Sequence, residues 1–303
     1  MGYVHVNIRL PAQRESKVSG DSARGYIATP DPLWLTLAVV PGLAIIVCLV
    51  LYPLALAVSY SLDLGTGAPS LAHYLAFLSD GQSYRATVRT LGLALATTVA
   101  SVALSIPLGY IARGAPRLGI IIRALIALPL AVPVLIAGYA LALFYSENGL
   151  FNSLLVRVLH IVPEPLAISY TWGGLLVACI WRFFPYTGLL VVSALQSTDR
   201  ALEEAAASTG ATPWQTFWRV TLPLIAPAAL TGGILTFVST FGTFSLPLLM
   251  GRSAETLSVM AYRKLTGSFD WPTASTIVLV MAMIQIVVLV GIRRRVLRWV
   301  HRI

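Results

Sequence analysis

The residues best placed for chemistry lie in one 21-residue segment, EEAAASTGATPWQTFWRVTLP, Glu203–Pro223. Two adjacent carboxylates, Glu203 and Glu204, head a run of alanines that stops near Gly210. Ser197, Thr198 or Asp199 can cap a helix over STDRALEEAAASTG, which puts both glutamates early in that helix. Gly210 ends or breaks it, and Thr212-Pro213 starts a second turn. Trp214, Phe217 and Trp218 then recur at three- and four-residue spacing, and Pro223 is expected to open the apolar run that follows. The segment reads as a helix–turn–helix with one face able to leave the membrane; the alternative is an ordinary interfacial helix.

A second candidate is Arg182, in CIWRFFPYTG. It is the one charge placed well inside an apolar run, roughly 16 Å along a helix from the start of that run. It could line a path and meet an anionic solute. The favoured reading is structural, with Arg182 held by helix carbonyls or stacked among Trp181, Phe183, Phe184 and Tyr186.

Enzymatic chemistry finds little support. The sequence has no HExxH, no GxSxG and no Cys/His cluster at metal-ligand spacing. Its two lysines, Lys17 and Lys264, do not sit in a phosphate-binding Gly-x-x-x-x-Gly-Lys-Ser/Thr loop. Cys48 and Cys179 each fall inside apolar runs and read as small core residues. No metal or cofactor site is expected.

The elements that must carry these residues follow from composition. Of 303 residues, 57% are hydrophobic and 11% charged, against about a quarter charged in a soluble domain. With a mean hydropathy of +0.81, the solvent for this chain is lipid. The net charge of +9 does not point to nucleic acid, because the basic residues sit at the ends of apolar runs rather than on a continuous surface.

Six runs are long enough to span a bilayer, at about 34–60, 88–112, 118–145, 171–197, 224–250 and 273–292. They are continuous rather than alternating, which argues for helices and against a β-barrel. Pro129, Pro133 and Pro247 are expected as kinks within the third and fifth spans. With the N-terminus inside, 14 of the 21 basic residues lie in cytoplasmic segments, six lie outside and Arg182 lies within a span. Both termini are therefore expected in the cytoplasm, with Glu203–Pro223 in a cytoplasmic loop. Residues 1–33 are expected as an uncleaved polar cytoplasmic arm, and 34–303 as the membrane domain.

All twelve acidic residues and all four histidines fall outside the six runs. An ion-coupled secondary transporter usually carries such groups in the membrane, so that class is the weaker alternative.

The order Glu204-Ala205-Ala206, then Gly210, then Val220 and Leu222-Pro223 resembles the EAA signature of ATP-binding-cassette importer permeases. NGLFNSLL (Asn148–Leu155), FGTFSLPLLMG and TLSVMAYRKLTGSFDWPTAS are similar to further segments of half-size permeases in this family. The resemblance implies an all-α, six-span type I importer permease of the plasma membrane, and not an enzyme. It implies a cytoplasmic ATPase subunit as motor, a second permease subunit, identical or paralogous, and an extracytoplasmic solute-binding protein. ATP is used by the partner, and no cofactor is expected on this chain. The short cytoplasmic helix would be the coupling helix, with Glu204, Ala205, Ala206, Gly210, Leu222 and Pro223 as its marker residues, and Arg182 and Tyr186 are candidates for the path. Sugar-importer permeases often carry Asp-Gly where this chain has Thr209-Gly210. The form here looks more like permeases for polyamines, ferric iron, thiamine or phosphonates.

Overall fold

A computed structural model describes residues 32–63, 69–251 and 255–300. The N-terminal arm expected over 1–33 lies almost wholly outside these residues. Contacts divide the chain into two units, Met1–Pro53 and Leu54–Ile303. The described part of the first unit is the beginning of α1 (Pro32–Ser61), an apolar helix.

The second unit takes the end of α1 and continues with α2 (Ala72–Ser79), α3 (Gly81–Gly114), α4 (Pro116–Ala131) and α5 (Val134–Phe144). Next come α6 (Leu150–Ser153), a π-turn over Leu154–Val158, α7 (Trp172–Ser197), α8 (Arg200–Ser208) and α9 (Pro213–Thr216). A second π-turn, Phe217–Thr221, leads into α10 (Leu222–Phe241), followed by α11 (Ser245–Met250), α12 (Leu257–Gly267) and α13 (Trp271–Val300). The described residues contain no strand. Among the described residues, five helices are long and apolar enough to cross a membrane, and a sixth crossing is made if α4 and α5 count together.

Three of the expected spans need correction. The third is broken: α4 and α5 meet at an angle of 102°. Val132 is extended, at φ −92° and ψ 125°, as expected of a β-branched residue that precedes a proline. The second begins seven residues early, so Arg85 joins a 34-residue helix. Such a helix is about 51 Å long and must stand well out of the hydrocarbon. Its start is fixed by Asp80, whose carboxylate accepts from the Gln82 and Ser83 amides at 3.2 and 2.8 Å. The Ser83 hydroxyl, together with these amides, holds Asp80 below the ordinary carboxylate range.

The fifth span ends at Phe241, and Pro247 lies in the separate α11 rather than at a kink. Pro223 stands in the first turn of α10, as expected, but not at the start of the helical path. The helical path already runs from Pro213 to Phe241, and the π-turn sits just ahead of Pro223. Proline lacks the amide that would bond four residues back, and a wider turn absorbs that loss.

The core of this unit is the mutual packing of α3, α7 and α10. It rests on small and hydroxyl-bearing residues because helices in lipid gain from close backbone approach rather than from hydrophobic burial. A Cβ at Gly232 of α10 would come within 2.6 Å of the Thr187 Cα on α7. One turn on, the Thr187 and Thr236 hydroxyls bond at 2.7 Å, and Thr236 donates to the Phe183 carbonyl at 3.3 Å. Against the first half of α7, α5 and α11 bury Ala142, Leu246 and Met250 on Leu175, Ala178 and Cys179.

Candidate functional site

Among the three capping residues offered by the sequence, Asp199 starts α8, its carboxylate accepting from the Ala201 amide at 3.0 Å. The helix stops in a Schellman arrangement. The Ala211 amide reaches the Ala206 carbonyl at 3.2 Å and the Gly210 amide reaches Ala207 at 2.9 Å. This geometry needs a left-handed residue, and Gly210 supplies it with φ +87°. The chain then restarts on a capping box. Thr212 Oγ1 accepts from the Gln215 amide at 3.3 Å, and Gln215 Oε1 accepts from the Thr212 amide at 2.8 Å.

The two glutamates part company. Glu204, Ala205 and Ser208 are exposed on one face of α8, and Ala206 is half-buried. Glu203 turns inward and takes the Arg113 guanidinium in a two-pronged pair, Nη1–Oε1 at 3.2 Å and Nη2–Oε2 at 2.5 Å. Thr221 Oγ1 donates to the same carboxylate at 2.6 Å. Arg113 also lies 5.0 Å above the Tyr110 ring. Burial raises the Glu203 carboxyl, but Arg113, Thr221 and the Arg200 charge outweigh it and leave it below the ordinary range.

Beside this pair, Tyr110, Trp214, Phe217 and Thr221 line an open cleft of about 520 Å³. Trp214, which also lines it, and Trp218, edge-on to Trp214 at 5.5 Å, are both exposed. Leu222 does not share the exposed face of α8; it packs against Val191, Leu195 and Ile225. Pro223 is half-buried on α10. The marker residues therefore separate into an outward set (Glu204, Ala205), a turn (Gly210) and an inward set (Leu222, Pro223).

Arg182 lies on α7 between Ala178, Cys179 and Pro185, all buried at helical spacing. Its Nε and Nη1 are buried and have no hydrogen-bond partner among the described residues. The guanidinium carbon stands 5.8 Å from the Phe183 ring, and Phe183 stacks on Tyr186 at 6.3 Å. The stacked alternative is thus realised in part, yet it leaves strong donors unused in the middle of a span, where an unmet donor costs free energy.

Sequence reasoning missed Arg113 and Thr221, which stand 90 and 18 residues from Glu203. No local pattern announces such a pair. It also missed Asn152, inside the NGLFNSLL segment. Asn152 is buried, donates to the Ser146 and Leu166 carbonyls and accepts from the Leu166 amide at 2.8 Å. An asparagine amid hydrophobic residues was the available signal.

The model of the family described as binding-protein-dependent transport system inner membrane component matches residues 105–300, more than half of the chain. The chain is similar to the sulfate transport system permease protein CysT of Escherichia coli K12, with 31% identity over 187 residues, 60% of this chain. That alignment spans 65% of the CysT length, just under two thirds. The molybdenum transport system permease protein ModB of Mycobacterium tuberculosis is 27% identical over 270 residues, covering 88% of this chain and 96% of ModB. In fold, the chain matches one chain of a bacterial alginate ABC transporter crystallised with a periplasmic protein. The TM-score there is 0.72 at 19% identity, over 88% of this chain and 95% of that one. The all-helical membrane architecture expected from the sequence is therefore present, in a multi-pass protein of the plasma membrane. The chain belongs to the family of binding-protein-dependent transport system inner membrane components.

Proposed function

We propose that this chain is the permease subunit of an ATP-driven importer, with both termini and α8 on the cytoplasmic side. Its partners are cytoplasmic ATPase subunits, a second permease copy or paralogue and an extracytoplasmic solute-binding protein. Hydrolysis takes place on the ATPase, and this chain contributes the path and the contact through which work enters. The observation that carries the reading is the exposed face of α8, where Glu204 stands beside small residues on a helix closed by a glycine turn. Small side chains allow a partner surface to approach closely, and a free carboxylate is an acceptor for a partner arginine. The experiment is Glu204→Lys in the full chain. The ATPase subunit is expected to be lost from the purified complex and solute uptake abolished, with the chain still inserted. Truncating one partner of a buried charge pair costs about 2–5 kcal/mol, and reversal costs more. An interfacial helix predicts the opposite, since an added lysine favours an anionic membrane surface.

For the solute, the buried unpartnered donors of Arg182 favour an anion over the polyamine and ferric iron suggested by resemblance. The similarity to sulfate and molybdenum permeases points to small oxyanions. A guanidinium matches their geometry with paired donors. Arg182→Met should lower uptake of labelled sulfate or molybdate at least ten-fold at normal membrane levels of the chain, and Arg182→Lys should lower it less. Uptake of spermidine by the wild type, unaffected by either change, would assign the solute to the other class.

A further inference from the structure

We infer that Glu203 is the positioning residue that ties α8 to the membrane core, so that a displacement of α8 is carried to α3 and α10 together. The inference rests on the coupling role proposed for α8. No α8 side chain is fully buried, so hydrophobic packing does not fasten this helix. Its backbone neighbours are α9 and the Phe217–Thr221 π-turn. Directional polar contacts make the attachment. The Glu203 carboxylate holds the last turn of α3 through Arg113 and the entry to α10 through Thr221. Arg200 Nη2 adds a second tie, donating to the Arg113 carbonyl at 2.9 Å.

The anchor points are stiff. Arg113 and Glu203 side chains are only 10% and 18% exposed, and the Tyr110 ring backs the guanidinium. Gln196 of α7 donates to the Ala112 carbonyl at 3.2 Å, fixing the same end of α3. Thr221 is fully buried. A two-pronged charged pair resists both approach and separation, and it also fixes angle, which a single apolar contact does not. The helices gripped, α3 and α10, are two of the three that pack into the core. Adjacent glutamates thus divide the work: Glu204 faces the partner and Glu203 passes the motion inward.

The test places nitroxide labels at Leu202→Cys on α8 and Ile111→Cys on α3, both exposed positions, in the complex that copurifies with the full chain carrying Cys48→Ser, since Cys48 is an exposed thiol. In the otherwise unchanged chain, one α8–α3 distance is expected with and without ATP, because the two elements move as a body. With Glu203→Gln the ATPase subunit stays bound, but the distance lengthens or splits when ATP is added. The swapped pair Glu203→Arg with Arg113→Glu should restore a single distance. A single ATP-independent distance in Glu203→Gln would overturn the inference, as would release of the ATPase by that variant. If Glu203→Gln fails to accumulate, a swap that restores accumulation without the single distance shows a purely structural pair, and again overturns it. Should Glu204→Lys retain the ATPase, the coupling reading itself falls, whatever the labels report.

Discussion

Two arginines in this chain meet opposite surroundings, and the contrast separates what holds the molecule together from what it keeps available. Arg113, at the end of α3, gives both prongs to Glu203 and rests on Tyr110. Arg182, ten residues into α7, keeps Nε and Nη1 buried with no hydrogen-bond partner among the described residues. The first charge is neutralised within the chain and builds structure. The second carries an unrepaid desolvation cost, which an anionic solute would offset if Arg182 has the path role proposed above.

Stability measurements can break this comparison. Arg113→Gln leaves the Glu203 carboxylate half-buried without its cation. Loss of one partner from a buried pair costs about 3–5 kcal/mol, and partial exposure here reduces that to roughly 2–3 kcal/mol. The thermal midpoint of the detergent-solubilised chain should fall accordingly. Arg182→Met should leave that midpoint unchanged or raise it, because it removes unmet donors and keeps the side-chain volume. A fall as large as that of Arg113→Gln would place Arg182 among structural residues. Proton linkage sharpens the first half. The Glu203 carboxyl is held below its ordinary value of 4.5. Its contribution is therefore complete above that value and lost only as pH falls through the lowered one. The difference between wild type and Arg113→Gln should stay constant from pH 6 to 8 and shrink in acid.

A smaller effect is expected at Gly210, which separates the outward face of α8 from the restart at Thr212. An added Cβ meets nothing within 4 Å, so the cost is the left-handed backbone alone. Gly210→Ala should cost about 1–2 kcal/mol locally, and Gly210→Asn less, since asparagine tolerates that region. Hydrogen exchange at the Ala211 amide reports it. Equal exchange in all three forms would remove the turn from the account of how α8 is presented.

The cap at Asp199, the Gly210 turn and the Thr212-Pro213 restart were legible because each depends on residues a few positions apart. The same holds for the membrane class, since lipid leaves helix as the form that satisfies these apolar backbones. The opposite fates of Glu203 and Glu204 were not legible, because helical spacing gives their relative angle but not the direction of the core. Arg113 and Thr221 reach Glu203 only once α3, α8 and α10 have been brought to the same end of the core.

The prolines draw the same line. Pro107, Pro129, Pro185 and Pro227 all lie within continuous helices, whereas the chain breaks between α4 and α5 at Pro133. Sequence by itself determined that this is an all-helical membrane chain with an acid-headed, glycine-closed helix between its fourth and fifth apolar runs. The tertiary structure decided which proline breaks a span, which glutamate faces outward and which arginine keeps buried donors unbonded among the described residues. Periodicity is a property of near neighbours, whereas a break, a salt bridge and an unmet donor are settled by what distant segments bring to the same place.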